Sequence, residues 1–434
     1  MKIALISINS HTRTLNFASM IHSYSFQQFL LKNGIETTII NYKPHYFGRF
    51  DEKHPLEYYR DVNPNPNPKK QAKLIEKWTR LYSEREKRYD KFMAFADKYY
   101  IKTDKCYTTK DLDTEDLGFD CYICVTDVIW KYHKVSGFDK ALFLASETMK
   151  GKKKIAYAAS HGGIEYTPNQ EAKFIRWISD FDRISVREES LQTYIKKEAG
   201  LDVPHVVDPV FLMPRSFYED LAVEPEYVPS GKYVLIYLAM QNNSTVVKAA
   251  IEFARDHDME AIELSEEINN EGIVPGAKHR IIYDIGVEEW LWYIIHSEYF
   301  FTNSFHGCCF SLILQKRFFA GDRGGDKIDS LLDYFDVQDR RLKSYRQLSR
   351  ADKLPDTNYE KVQEKIDRGV EYSSAYILDA IHYLEDHDHS PLIAKPDPLI
   401  KAAKSKKKSP TANVSRAARK IKRGIKVVFG TAGK

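Results

Sequence analysis

The sequence predicts an α/β protein of two domains followed by a basic tail. Its 434 residues exceed what one ordinary hydrophobic core takes up. Short apolar runs of strand length alternate with longer amphipathic stretches, an order typical of parallel sheets with crossover helices. The predicted division places an N-terminal α/β domain at 1–208, a C-terminal α/β domain with a closing helix at 209–390, and the tail at 391–434.

The chain opens with a strand–helix–strand pattern. Lys2–Ile8 is an apolar strand, a helix follows to about Lys32, and Asn33-Gly34 is a typical helix stop before a second strand at 35–41. This βαβ order predicts a parallel sheet. The first loop lacks G-x-G-x-x-G, which excludes the usual dinucleotide-binding fingerprint. Asn16 in this loop is either a site residue or a helix N-cap.

Two further strands of the first domain end in polar residues. The strand at Lys154–Ser160 is followed by His161 and two glycines, and His161 is either a site residue or a solvated turn residue. The strand at 183–186 runs into Arg187, whose alternative role is a surface salt bridge to a glutamate. The crossover at 203–209 ends in Asp208-Pro209, which we interpret as a structural turn.

The second domain is organised around Ser297–Phe319. This stretch predicts a short strand, a polar turn containing Ser304, and a buried helix of small and apolar residues. His306 therefore lies where a strand ends and a helix begins, the edge of an α/β sheet that holds ligands and offers free N–H groups to anions. The alternative is a core histidine that caps its own helix. A long amphipathic helix at 359–384 is expected to close the domain and to reach back to the first.

Composition excludes several classes of protein. No apolar run approaches the roughly 20 residues of a membrane span, and the N-terminal apolar run is too short for a signal peptide, so the sequence predicts a cytoplasmic protein. Five cysteines without a paired metal motif predict free buried thiols and no metal site. A three-residue offset should point Cys121 and Cys124 to opposite faces of one strand.

The net charge of +4 conceals a strong asymmetry. Residues 391–434 hold 13 Lys or Arg and a single Asp, which leaves the body acidic and argues against a nucleic-acid-binding core. Within 411–430, apolar residues recur at helical spacing between basic ones. That pattern predicts peripheral contact with an anionic membrane, at the inner face of the plasma membrane; the alternative is a merely solubilising tail.

Four motifs in the same order resemble the polysaccharide pyruvyl transferase family. They are Thr14–Phe17 with its helix, Ile155–Ser160, Ile184–Ser190 with the later Asp208-Pro209, and the Ser-Phe-His-Gly of 304–307 with its apolar helix. Together they span roughly residues 1 to 385. The chain departs from the family at Ala18, where a glycine is usual, and around Asp127, where Val125-Thr126 and Val128-Ile129 replace Gly-Ser and Gln-Val.

The resemblance implies two Rossmann-like domains facing across a cleft, as in the GT-B glycosyltransferases. It also implies phosphoenolpyruvate as the donor substrate, no cofactor, and a saccharide acceptor, lipid-linked in some settings, that receives pyruvate as a ketal during synthesis of a cell-surface polysaccharide. His306 would act as general acid or base, and Arg187 would hold the donor's carboxylate or phosphate. Lys327 would hold phosphate, while Ser304 and the Gly307 N–H would complete the anion pocket.

The acceptor side is expected to include Asn16, Asp127, Trp130 and His161. Asp127 would orient a sugar hydroxyl and Trp130 would stack on a sugar ring; the alternatives are a turn aspartate and a core tryptophan. Lys327 has the alternative of a solvated surface lysine. Two other functions remain open: a glycosyltransferase that uses a nucleotide sugar, and a catalytically degenerate member that binds polysaccharide precursors.

Overall fold

The computed structural model describes residues 1–134, 136–163, 165–239, 244–266, 274–321, 326–342 and 356–393. The basic segment predicted to contact membranes, 411–430, lies outside the described residues. The same is true of most of the predicted loop that precedes Lys327.

The described residues form two five-stranded sheets in which every neighbouring pair of strands is parallel. The strands, with the short parallel pair β3 and β4, are β1 Ile3–Ile6, β2 Thr37–Ile39, β3 Tyr42–Lys43, β4 Tyr107–Thr108, β5 Cys121–Val125, β6 Lys153–Ala159, β7 Arg183–Val186, β8 Tyr233–Tyr237, β9 Glu260–Leu264, β10 His279–Ile282, β11 Tyr299–Thr302 and β12 Arg317–Ala320. The first sheet has the order β2-β1-β5-β6-β7 and the second β10-β9-β8-β11-β12.

Helices connect these strands and cover both faces of each sheet. They are α1 Phe17–Lys32, α2 Pro55–Glu57, α3 Pro68–Arg80, α4 Tyr82–Tyr99, α5 Thr109–Thr114, α6 Pro168–Ile178, α7 Glu189–Ala199, α8 Arg215–Leu221, α9 Ser244–Asp256, α10 Val287–His296, α11 Phe305–Ile313, α12 Lys327–Tyr334 and α13 Tyr359–Asp386. The first sheet uses residues before 208 and the second uses residues after it. The proposed domain boundaries stay a prediction.

The central strands are apolar because both of their faces are covered. All five residues of β5 are buried, and Cys121 and Cys124 belong to the hydrophobic clusters on opposite sides of the sheet, as predicted from their offset. Cys106, in contrast, is exposed. The prediction that all five thiols are buried is therefore wrong at this position, because Cys106 precedes the short peripheral strand β4.

In each sheet the order of the strands reverses at one place. The reversal falls between β1 and β5 in the first sheet and between β8 and β11 in the second. Ligands of open α/β sheets bind outside the carboxyl ends of the strands at such points. In the second sheet a hydrogen bond joins the segments that follow β8 and β11, since the Ala239 N–H donates to Oδ1 of Asn303 at 2.8 Å. The topology therefore predicts a ligand site at the loops that follow β1, β5, β8 and β11.

The two halves share one hydrophobic core. Phe17 of α1 stacks on Trp290 of α10 with ring centroids 5.5 Å apart, and the same cluster includes residues of both sheets. Helix α13 also bridges the halves, as predicted. Its Lys365 pairs with Asp336 at 2.7 Å, and its Ser373 Oγ accepts the Val207 N–H at 3.0 Å. The relative position of the halves is thus fixed by apolar packing and by one long helix.

The described residues include neither a membrane-spanning helix nor a metal-binding cluster. No helix there combines the length and the apolar content that crossing a bilayer requires. No group of three or more His, Cys, Asp or Glu side chains in those ranges is arranged to hold a metal ion.

Candidate active site

A cavity of about 300 Å³ lies between the carboxyl ends of the two sheets. It brings together six of the nine residues predicted from the sequence, which are Asn16, Asp127, Arg187, Ser304, His306 and Lys327. These residues come from loops and helix starts that are far apart in the chain. Their convergence between the carboxyl ends of both sheets makes this cavity the candidate active site.

Arg187 is held rigidly from several sides. Its Nε donates to Glu188 Oε1 at 3.0 Å and its Nη1 donates to Asp208 Oδ2 at 2.9 Å. The guanidinium carbon lies 4.1 Å from the centre of the Phe305 ring, so the second half of the chain covers it by a cation–π contact. Burial lowers the pKa of Arg187, but the neighbouring carboxylates Glu188 and Asp208 outweigh burial and raise it. The buried position excludes the surface salt bridge that was the alternative.

Asp208 has a role in the site beyond the structural turn that the sequence predicted. Its side chain is completely buried and accepts from Thr126 Oγ1 at 2.9 Å as well as from Arg187. It also accepts the Val210 N–H at 3.2 Å, which is the turn role that was predicted. Burial raises the pKa of Asp208, but the attraction of His306 and Arg187 outweighs burial and holds the pKa far below its usual range. Asp208 is therefore a carboxylate at the centre of the site as well as a turn residue.

His306 occupies the start of α11 and faces Asp208. Its Nε2 lies 3.4 Å from Asp208 Oδ2, at ion-pair distance but off the line that a hydrogen bond needs. Only 5 % of His306 is exposed, so this nitrogen is a buried polar atom without a hydrogen-bond partner among the described residues. Such atoms are rare in proteins and commonly mark a place where a ligand binds. The helix start also supplies a partial positive charge next to the cavity.

His22 of α1 is a second histidine that the sequence did not single out. It is wholly buried and its ring stacks on that of His306, with the centroids 5.7 Å apart. Burial and the neighbouring His306 lower the pKa of His22 to about 4. It therefore presents a neutral ring to His306. No sequence motif includes His22, and its role becomes apparent only from its position in α1 next to His306.

The turn after β5 carries local backbone strain. Thr126 and Asp127 both adopt positive φ values, 36° and 57°, in a region that non-glycine residues rarely occupy. The turn is fixed because the Ser160 N–H donates to Asp127 O at 3.1 Å. Burial raises the pKa of Asp127, but attraction to His306, Arg187 and Lys327 outweighs burial and brings the pKa to about 2. The strained turn places the Asp127 carboxylate opposite Arg187, Lys327 and His306.

Asn16 and Lys327 enter the cavity from opposite halves. Asn16 caps α1, since its side chain accepts the Ala18 N–H at 3.1 Å, and it also lines the cavity, so both interpretations of this residue hold. Lys327 is the first residue of α12, and its Nζ comes within 3.9 Å of where a Cβ on Gly162 would lie. The glycine turn after β6 therefore lies next to this lysine.

The expected roles of Ser304 and Gly307 need correction. Ser304 Oγ accepts the Gly307 N–H at 3.2 Å, which is an N-cap bond of α11. The Gly307 N–H is therefore occupied inside the helix and does not face an anion. Gly307 is small because a Cβ there would overlap Thr302 Oγ1, at the point where α11 packs closely on β11. Ser304 itself lines the cavity. The N–H groups of the first turn that precede Gly307, those of Phe305 and His306, have no partner within the helix.

Trp130 and His161 do not line the cavity. Trp130 is completely buried and stacks on Phe143 with centroids 5.5 Å apart, so the core interpretation is correct and stacking on a sugar ring is excluded in this structure. His161 is 7 % exposed and its Nδ1 accepts the Gly163 N–H at 2.9 Å, which excludes a solvated turn histidine. Both residues support the turns that hold Asp127 and Gly162.

A second cavity of about 400 Å³ adjoins the first. The two share Arg187, Phe305 and Lys327 as a common wall, and the second extends along α13 to Arg368 and Tyr372. Tyr372 is 55 % exposed, so its ring is available at the mouth. The arrangement provides a small charged chamber and a larger chamber with aromatic and polar walls.

Comparison with solved structures supports the fold. A putative UDP-N-acetylglucosamine 2-epimerase from Listeria monocytogenes superposes with a TM-score of 0.53 at 12% identity, over 91% of this chain and 100% of that one. The UDP-GlcNAc 2-epimerase from Neisseria meningitidis gives a TM-score of 0.49 at 12% identity, over 88% of this chain and 100% of that one. A glycosyltransferase from Rickettsia africae gives 0.47 at 8% identity, with 89% and 99% covered.

At this level of identity the likeness concerns the fold alone. It agrees with the two facing parallel α/β halves, which form the GT-B-like architecture expected from the sequence. No curated protein sequence matches the chain at a significant level. A model of the polysaccharide pyruvyl transferase family matches residues 19–321, well over half of the chain and including Asp127, Arg187, Asp208 and His306. The chain belongs to the polysaccharide pyruvyl transferase family.

Proposed function

We propose that this protein transfers pyruvate from phosphoenolpyruvate to two hydroxyls of a saccharide, as a cyclic ketal, during synthesis of a cell-surface polysaccharide. The observation that carries the proposal is the presence of Arg187, Lys327 and His306 in one cavity of about 300 Å³, with Asp208 between the arginine and the histidine. The cavity is small, and its lining carries four cationic side chains, Lys131, Arg187, Lys327 and Arg341, against the one carboxylate of Asp127, which suits a small donor with several negative charges.

The donor's anionic groups have evident partners. Nε and Nη1 of Arg187 are occupied by Glu188 and Asp208, while within the described residues Nη2 has only the 4.0 Å contact to Asp127. A donor carboxylate at Nη2 would replace that weak contact with a charge-assisted bond. Lys327 and the first turn of α11 are suited to the phosphate.

The reaction needs two proton transfers. A proton adds to the methylene carbon of the enol, which becomes the methyl group, and the adjacent carbon becomes electrophilic. One sugar hydroxyl attacks that carbon and loses its proton, then the second hydroxyl attacks, and the carbon–oxygen bond to phosphate breaks. One of the two hydroxyl protons thereby balances the new methyl group, and the other leaves with phosphate.

His306 is the residue placed to move these protons, with Asp208 as its orienting partner. The Asp208 carboxylate beside Nε2 holds the ring in place. The neutral His22 adds no charge to the ring stack. The methylene carbon and the two hydroxyls must all come near this nitrogen, so His306 can act as general acid or as general base.

The acceptor has room on both sides of Arg187. Asn16 and Asp127 line the first cavity and offer an amide and a carboxylate to sugar hydroxyls. The second cavity, which shares the wall of Arg187 and Lys327, is large enough for a sugar ring and places Tyr372 at its mouth. A lipid-linked acceptor and peripheral membrane contact through 411–430 belong to the same proposal and rest on the sequence alone.

Calorimetric titration of phosphoenolpyruvate against the purified full chain tests the donor assignment. We expect saturable binding that Arg187→Ala weakens at least tenfold, because a charge-assisted bond contributes about 1.5–3 kcal/mol. Arg183→Ala is the matched control, since Arg183 begins the strand that ends just before Arg187 and packs on Tyr383 rather than on the cavity. Lys327→Ala gives a second variant if the loss of the buried Arg187 prevents folding.

A panel of nucleotide sugars in the same experiment separates the alternatives. Binding of a nucleotide sugar without binding of phosphoenolpyruvate would assign the protein to the glycosyltransferases. Binding of neither by folded protein would favour a catalytically degenerate, precursor-binding member. His306→Ala should retain donor binding while abolishing turnover.

A further inference from the structure

A cysteine, a histidine and a carboxylate form a connected cluster away from the candidate active site. Cys106 Sγ lies 3.4 Å from His11 Nε2, and His11 Nδ1 lies 2.9 Å from Glu52 Oε2. The three residues come from the β4 entry, the β1–α1 loop and the loop before α2. This is the order of nucleophile, base and orienting carboxylate that activates thiols in other sites.

The geometry favours a doubly protonated histidine ring. Nδ1 faces the carboxylate of Glu52, and Nε2 faces Asn41 Oδ1 at 3.0 Å in addition to the sulfur. Both nitrogens thus face acceptors, and a ring that donates from both carries a positive charge. The raised pKa of His11, about 9, agrees with this, since the bonds to Cys106 and Glu52 outweigh the opposing effect of burial.

The cluster places two cationic side chains around one carboxylate beside the sulfur. Glu52 is 3 % exposed and faces two cations, His11 and Lys43, whose Nζ lies 3.3 Å from Oε2. The nearby Tyr89 adds no charge, because burial and the carboxylates of Glu52, Asp51 and Asp90 raise its pKa to about 12. One carboxylate against two cations leaves an excess positive charge beside the sulfur, which favours the thiolate.

The cluster is held in place by groups outside it. Asn41 contacts His11 through its side chain, and its carbonyl accepts the Tyr107 N–H at 2.7 Å, next to Cys106. The Glu52 carbonyl accepts from Arg85 Nε at 2.7 Å. These bonds fix the sulfur and the ring relative to each other. Cys106 is exposed, while the other four cysteines of the chain are buried.

We propose that Cys106 is a reactive thiolate, paired with the His11 imidazolium and oriented by Glu52, and that it is a site of oxidation by small peroxides. The sulfur attacks one oxygen of hydrogen peroxide, the oxygen–oxygen bond breaks, and the cysteine becomes a sulfenic acid. The other oxygen leaves as hydroxide and takes the Nε2 proton of His11 to become water. The same loop continues from His11 to Asn16, which links this site to the wall of the candidate active site.

The pH profile of alkylation by iodoacetamide tests the ion pair in the full-length protein. An ordinary exposed thiol with a pKa near 8.5 loses roughly 50-fold in rate between pH 8.5 and pH 6.5. Cys106 should lose less than about threefold over the same range. Mass spectrometry assigns the label, and Cys106→Ser should remove it.

His11→Gln is the informative variant, because it keeps a polar side chain but cannot carry the charge. It should restore the steep profile, while His54→Gln, a half-buried histidine paired with Glu86, should leave the profile flat. A steep profile in the wild-type protein overturns the proposal without any variant. A flat profile that persists in folded His11→Gln protein also overturns it.

The oxidation step has its own readout. Hydrogen peroxide at pH 6.5 in the presence of dimedone should give a sulfenic acid adduct on Cys106, formed at least tenfold more slowly in His11→Gln. Absence of the adduct from wild-type protein would contradict the assigned chemistry.

Discussion

His22 shows how a single buried residue makes the stability of the folded protein depend on pH. Its pKa of about 4 in the folded protein lies below the ordinary histidine value of 6.5, because burial and the facing His306 disfavour its charge. Between pH 6.5 and pH 4 the unfolded chain therefore binds a proton that the folded chain does not. Stability is fully present above pH 6.5 and falls as the pH drops toward 4.

Replacing His22 by Gln should remove this loss. We expect the wild-type free energy of unfolding to fall by about 3 kcal/mol more than that of the variant between pH 7 and pH 4, from 1.36 kcal/mol per pKa unit. Urea unfolding at a series of pH values measures it. His387→Gln, at an exposed position just past α13, serves as control and should keep the wild-type slope. Parallel slopes for His22→Gln and the wild type would contradict the prediction.

The residues that sequence reasoning found and missed differ in a physical respect. Arg187 and His306 were predicted because each follows a strand end, and a parallel sheet brings such positions together. Asp208 was interpreted only as a turn residue, since its contacts with Arg187 and His306 join positions remote in the chain. His22 lies inside a helix that is buried nearly all round, where nothing in the local pattern distinguishes it.

At the scale of elements, the start of α11 depends on one small residue. Gly307 lets the helix approach β11 so closely that any Cβ would overlap Thr302 Oγ1. That approach aims the first turn and His306 at the cavity. The sequence predicted the strand, turn and helix here, but it could not show that the glycine serves packing rather than anion binding, which depends on the distance between the two elements.

Gly307→Ala should therefore destabilise the protein by about 1–3 kcal/mol, through overpacking between α11 and β11. Gly231→Ala is the matched control, because a Cβ there meets no atom within 4 Å, and it should change stability little. The double variant Gly307→Ala/Thr302→Ala should cost less than the sum of its two single variants, since removing the Thr302 side chain relieves the overlap. Additive losses in the free energy of unfolding, measured with urea, would show that the cost of Gly307→Ala does not come from the overlap with Thr302.

At the scale of the whole molecule, α13 and the residues after it bind the two halves together. Ser373 contacts the crossover at Val207, His389 pairs with Asp182 at 2.9 Å, and the Leu392 N–H donates to the Phe181 carbonyl at 2.8 Å. The sequence predicted the long amphipathic helix and its return to the first domain. It could not predict the continued contacts beyond the helix, because residues 387–393 have no periodic pattern.

These contacts define where a test of the basic tail should cut the chain. Removing 394–434 deletes all 13 basic residues of the tail and keeps every described contact of α13, so we expect unchanged thermal stability and unchanged titration of phosphoenolpyruvate. Sedimentation with vesicles that contain anionic lipid should fall at least tenfold, because each basic residue near such a surface contributes about 1 kcal/mol. Neutral vesicles and 0.5 M salt are the controls, and both should already abolish sedimentation of the full chain. Equal sedimentation of the full and truncated chains would exclude the tail as a membrane contact and place any membrane affinity on the folded body.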